Sequence, residues 1–99
     1  MNYAQLPGGD LIERGLEDLQ HGTESIPALL VLIGAPRLRQ LEVAVPDVPW
    51  ADPEHRLYHL LAAQDSDSAH GRYNALIRKL VSFERAVGCT GSPIAAFCL

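Results

Sequence analysis

This chain is predicted to be all-α, a small bundle of four to five helices around a central buried apolar helix. Three observations carry that reading. Apolar residues recur at helical spacing over residues 73–87, Gly and Pro punctuate the chain at intervals suited to short helices, and Leu and Ala dominate the apolar run at residues 28–33. With 99 residues the chain is long enough for one ordinary core and too short for two. Residues 1–99 are therefore read as a single helical domain, ending in an apolar tail at residues 89–99.

Asp10 reads as the N-cap of a first helix over residues 11–21. Glu13 stands at the third helical position, as in a capping box, and Gly22 supplies a left-handed stop. Ile12, Leu16 and Leu19 make its buried side. Gly15 lies inside this helix at a cost of about 1 kcal/mol relative to Ala, as either a tolerated glycine or the mark of a second helix approaching closely.

Ser25 caps the next segment, residues 26–33, with Pro27 in the first turn and Gly34 as its end. Its apolar run has no polar side, so periodicity alone does not separate a buried helix from a buried strand. Residues 41–45 alternate enough to offer such a strand a partner. The Leu and Ala content and the helical neighbours favour a central buried helix. Pro36 would start a short helix over residues 37–41, giving a helical corner at Gly34 and Ala35.

Residues 43–53 hold three of the seven prolines and read as an extended loop. Asp52, Pro53 and Glu54 then restart a helix in the order cap, proline, acid, and that helix runs to Gln64. Leu57, Leu60 and Leu61 share one of its faces, with His55 and His59 on the other. A polar turn at residues 65–68 caps the last helix, residues 69–87, which Gly88 is expected to terminate. Tyr73, Leu76, Leu80, Phe83 and Val87 repeat at spacings of 3 and 4, widened by Ile77, and form the seam that packs on the rest of the bundle.

Composition narrows the function. At 47% hydrophobic and 20% charged residues the chain is globular in type. A net charge of −4 argues against the broad attraction to phosphate on which most nucleic-acid binders rely, leaving room only for a local basic patch. The first ten residues lack the charge and apolar stretch of a signal peptide, and the longest apolar run falls well short of the ~20 residues a membrane span needs. The expectation is a cytoplasmic protein without a membrane. Cys89 and Cys98 fit neither zinc spacing nor a disulfide framework, so both are read as free thiols, and no prenylation signal is present.

His55 and His59, four apart, would place two imidazoles on one helical face at chelating distance. Catalytic zinc helices put Glu directly after the first His, where this chain has Arg56, and no third ligand is fixed by spacing. The bland reading is a solvated pair. Arg14 and His21, with six residues between them, are similar to the Arg-x4-6-His signature of the HEPN ribonucleases, in which Arg and His act together on a phosphodiester. That resemblance covers two residues and does not establish the family. Gly15 follows Arg14 where the family carries a polar residue, and Glu13, Glu17 and Asp18 around it would repel RNA. Arg14 paired with Glu17 or Asp18, and His21 at the helix C-terminus, is the structural alternative. The cysteines have no neighbouring base in sequence, and the Gly pairs lack phosphate-loop spacing. No cofactor is called for.

Charge placement says more. Residues 1–54 carry three basic and nine acidic side chains, net −6, and residues 55–99 carry five and three, net +2. Arg72 and Lys79 lie seven apart beside the seam of the last helix, and Arg78 and Arg85 form a second row farther round. These cations would meet the acids of the first helix, Glu13, Glu17 and Asp18, or else an acidic surface on a partner. Glu84 falls inside the apolar arc, between Tyr73 and Ile77, and needs a partner such as Arg37, Arg39 or Arg56, or one outside the chain.

The favoured function is a non-enzymatic protein–protein interaction module, a small acidic adaptor, antitoxin, immunity or accessory protein that self-associates or binds a protein partner. Its contact residues would be Arg72, Arg78, Lys79, Glu84 and Arg85. One alternative is a nucleic-acid-linked regulator using the basic last helix. The other is a metal-dependent hydrolase at His55 and His59.

Overall fold

In the computed structural model, which describes residue 3 and residues 5–90, the chain forms α1 (Gly9–Gln20), α2 (Ile26–Gln40), α3 (Pro53–Gln64) and α4 (Ala69–Thr90). There is no strand among the described residues, so the strand reading of residues 28–33 and 41–45 gives way to helix and loop. Most of the apolar tail, residues 91–99, and with it the state of Cys98 lie outside the described residues, as does the side chain of Cys89. No helix among the described residues is long and apolar enough to cross a membrane.

Helix α1 begins two residues earlier than expected. Its N-cap is Gly8, in the left-handed region at φ 71°, and no side chain caps it. Glu13 therefore does not close a capping box with Asp10. Its Oε1 instead accepts a 2.7 Å hydrogen bond from the backbone N–H of Tyr3, which brings the preceding segment back over the helix. At the other end Gly22, at φ 70°, is the left-handed residue the sequence announces. The Gly22 N–H donates to the Leu19 carbonyl and the Thr23 N–H to the Asp18 carbonyl, the paired bonds of a Schellman stop.

Ser25 caps α2 as expected, its Oγ accepting from the Ala28 N–H at 3.1 Å while donating to Asp18 Oδ2 at 2.6 Å. One hydroxyl thus starts α2 and ties it to the last turn of α1. The helical corner at Gly34 and Ala35 is not formed: α2 runs unbroken through Pro36 to Gln40. Pro36 sits on the exposed side while Ala35 and Leu38 on the opposite side are buried, so packing on both sides of the proline outweighs one forfeited backbone bond. The true stop lies eight residues beyond Gly34. Glu42 adopts φ 67°, its N–H donates to the Arg39 carbonyl, and the Val43 N–H donates to the Leu38 carbonyl. Val43 and Leu38 are both buried, the apolar contact that usually accompanies such a stop.

Two glycines let the helices close up. A Cβ on Gly15 would stand 2.5 Å from Val31 Cγ2 and against the Pro27 carbonyl, and one on Gly34 would stand 2.7 Å from Leu80 Cδ1. Gly15 therefore marks the approach of α2, and Gly34, expected as a helix end, instead marks the approach of α4. Helix α2 packs against α1, α3 and α4, and α3 packs against α4. Ile12, Ala28, Leu29, Leu30, Val31, Leu38, Leu57, Leu61 and Phe83 have no solvent exposure. The last helix does not stop at Gly88 but continues to Thr90, with Gly88 half-buried beside Leu41.

Substitutions at these contacts separate fit from propensity. Gly15→Ala should lower unfolding stability by about 1–3 kcal/mol in urea titrations, because the new methyl meets backbone that cannot yield. Gly71→Ala, where nothing lies within 4 Å, should instead add about 0.5–1 kcal/mol through helix propensity. Ser25→Ala should cost about 1 kcal/mol by the same measurement.

Candidate functional site

The side chains singled out on α4 divide between three environments once the helix is packed. Leu80, Phe83 and Val87 of the seam are buried, and Tyr73, Leu76 and Ile77 are half-buried against the core. Arg72 and Lys79, at the edge of the seam, are exposed, and Arg72 Nη1 donates to Gln64 Oε1 of α3 at 3.0 Å. Arg78 and Arg85 project from the face opposite the seam and are exposed.

The acids of α1 do not neutralise these cations. Helix α1 packs mainly on α2, Asp18 is held by Ser25, and Glu13 is held by the Tyr3 N–H. Arg14 and His21 are both exposed, with His21 Nδ1 2.9 Å from the Glu17 carbonyl, a helix-end arrangement that joins no catalytic group to Arg14. Among the described residues one ion pair forms within 4.0 Å, Arg56 Nη1 to Glu24 Oε1 at 3.2 Å, linking α3 to the turn before α2. The expected fastening of an acidic first helix to a basic last helix is thus replaced by a different, shorter link. The reason is topological: α2 takes the inner face of α1, and the α4 cations point elsewhere.

Glu84 belongs neither to the buried seam nor to the exposed cations. It is half-buried where α4 meets α2, its Oε2 3.2 Å from the place a Cβ on Gly34 would occupy. Of the three arginines considered as its partner, Arg56 is committed to Glu24 and the Ala51 carbonyl, and Arg39 donates to the Val45 carbonyl. Arg37 donates to Gln40 Oε1 and acts on Glu84 only through space. Burial pushes the Glu84 carboxyl above its ordinary range, and the positive charge of Arg37 opposes that shift without cancelling it.

His55 and His59 are exposed on α3 and line an open depression of about 400 Å³ with Glu24, Arg56 and Leu60. Among the described residues no set of three His, Cys, Asp or Glu side chains is placed to hold a metal ion. Arg56 and Glu24 neutralise one another in the same depression, so it concentrates no charge of either sign. No buried polar side-chain atom among the described residues lacks a hydrogen-bond partner, so none is left aimed at a missing ligand.

Two surface residues escape a reading of α4 alone. Among the described residues Val81 and Tyr58 are the large apolar side chains exposed beyond a third of their area, at 37% and 40%. The Tyr58 ring, from α3, lies 5.8 Å from that of Tyr73. Val81 continues the four-residue row Tyr73, Ile77, Val81, a spacing visible in the sequence, whereas the approach of Tyr58 requires knowing that α3 lies beside α4. No family model, curated protein or solved structure matches the chain, so these surfaces stand on their own chemistry.

The position of Glu84 gives a signed pH dependence. Because its carboxyl titrates higher in the folded chain than in the unfolded one, the native state holds that proton longer. The contribution to stability is full below the unfolded-state value and is lost as pH rises through the raised folded-state value. Glu84→Gln should remove that loss, leaving the melting temperature at neutral pH unchanged or a few degrees higher. Thermal melts of both proteins between about pH 4 and pH 8 check it. A marked fall in the variant at neutral pH would show that the charge is paired.

Proposed function

We propose that the chain is a non-enzymatic, cytoplasmic protein–protein interaction module, built on α2 as its central apolar helix and presenting the basic face of α4 to an acidic protein. The observation that carries this reading is the exposure of Arg78, Lys79 and Arg85 without an acidic partner among the described residues, in a chain whose net charge is −4. A protein with nine acids in its first 54 residues has ample means to neutralise these cations internally, yet none of those acids forms an ion pair with them among the described residues. Such unpaired surface cations contribute little to stability and much to partner choice and association rate.

The acidic character of the partner follows from the same row. Self-association face to face through α4 would bring Arg78 and Arg85 of one copy against those of the other in either helix direction, and like charges so placed repel. A different, acidic protein satisfies them. The nucleic-acid reading needs a wider basic field than this chain carries, and the metal-hydrolase reading needs a third ligand that the His55 and His59 depression does not bring together.

Affinity capture from native-host extract with wild-type and Arg78→Glu/Arg85→Glu bait tests the proposal. Both side chains are exposed, so the variant should melt as the wild type does. Wild-type bait should retain a discrete acidic protein that is released by raising salt from about 0.1 to about 0.5 M, and the variant should recover roughly tenfold less of it. Equal recovery by both baits, or recovery of nucleic acid in place of protein, would overturn it.

A further inference from the structure

The geometry points to an acidic amphipathic helix as the ligand of α4, seated on an apolar ridge that runs beside the arginine row. This rests on the reading of α4 as the partner-facing helix and specifies what that helix recognises. Tyr73, Ile77 and Val81 are spaced four residues apart and so line up along one side of α4. Tyr58 of α3 extends the line, its ring 5.8 Å from Tyr73. Val81 and Tyr58 are exposed and Tyr73 and Ile77 half-buried, so the ridge is reachable from solvent. Arg78 and Arg85 stand three residues before and four residues after Val81, which places one guanidinium a turn to either end of it along the same side of the ridge.

That arrangement is one half of a two-helix contact. Seven residues separate the arginines, two turns or about 10.5 Å of helix. A ligand helix with Leu or Ile at heptad spacing would bury its apolar stripe on Val81, Ile77 and the tyrosines, and carboxylates flanking that stripe seven residues apart would meet both arginines. A purely acidic, non-amphipathic segment would leave the ridge uncovered. A second copy of α4 would cover the ridge but oppose the arginines to themselves.

The test uses the full chain, isotope-labelled, and three synthetic peptides of about 20 residues. The first repeats Leu at heptad positions flanked by Glu, the second scrambles that composition to abolish the stripe, and the third replaces Glu by Lys. Backbone amide shifts on adding the first peptide should concentrate at residues 58 and 73–85. Its affinity should weaken at least roughly tenfold for Val81→Asp, and similarly for Arg78→Glu/Arg85→Glu, both exposed sites whose spectra report retained folding. The scrambled and basic peptides should leave the spectrum unchanged. Equal binding of the scrambled peptide would overturn the ridge, as would shifts away from these residues or no binding at all. So would perturbation of the ridge by anionic phosphatidylserine vesicles or a uridine oligonucleotide in place of the first peptide. If Arg78→Glu/Arg85→Glu loses the captured host protein but Val81→Asp retains it fully, the interaction module stands and the amphipathic ligand falls.

Discussion

A carbonyl oxygen of α2, that of Pro27, stands where a methyl group on Gly15 would have to be, and the rest of the bundle depends on that closeness. With no side chain between them, α1 and α2 approach until Val31 packs on backbone, and Ile12 and Leu19 lose their contact with water. The same device recurs nineteen residues on, where Gly34 admits Leu80 and Glu84 of α4. Helix α2 is thus gripped at its first turns by one neighbour and at its middle by another. A chain with so little volume for a core gains from such contacts, since each ångström of approach converts solvent-facing apolar area into interior.

This arrangement explains which parts of the fold the sequence discloses. Ser25 and Gly22 act through bonds to backbone within a few residues of themselves, and both do what their identity implies. Gly34 and Pro36 look like punctuation of the same kind. Their local preference to break a helix is outweighed because Ala35 and Leu38 are buried, a fact that depends on packing with the rest of the fold and is invisible in the segment itself. The real end of α2 is correspondingly hidden, since Glu42 takes a left-handed conformation that sequence leads one to expect of glycine. Asp10 and Glu13 have capping-box spacing, yet Glu13 is claimed by the N–H of Tyr3, ten residues away.

The surface follows the same rule. Helical periodicity alone separates the seam of α4 from its outward arginines, because both are properties of one helix. Which helix the arginines face is a property of the assembly, and there the first helix is withheld by α2. Glu84 shows the two levels together. Its place in the apolar arc is legible from spacing, whereas its dependence on a missing side chain at Gly34 and on the distant charge of Arg37 is not. Tyr58 is the clearest omission, since nothing in α3 alone distinguishes it from any exposed aromatic.

Helices in this chain pair chiefly with their neighbours in order, α1 with α2, α2 with α3 and α3 with α4, with the packing of α2 on α4 added to these. The segment before α1 departs from this. Tyr3 sets its ring edge-on to that of Phe83, 5.4 Å between centroids, and Gly8 lies against the backbone of Lys79. These contacts close a loop of nearly the whole chain, whose entropic cost is offset only once α4 is already seated. The N-terminal strap can make these two contacts only while α4 is seated. Because it lies along the inner edge of α4, its engagement reports, from the opposite end of the polypeptide, whether the helix that carries the arginines is in place.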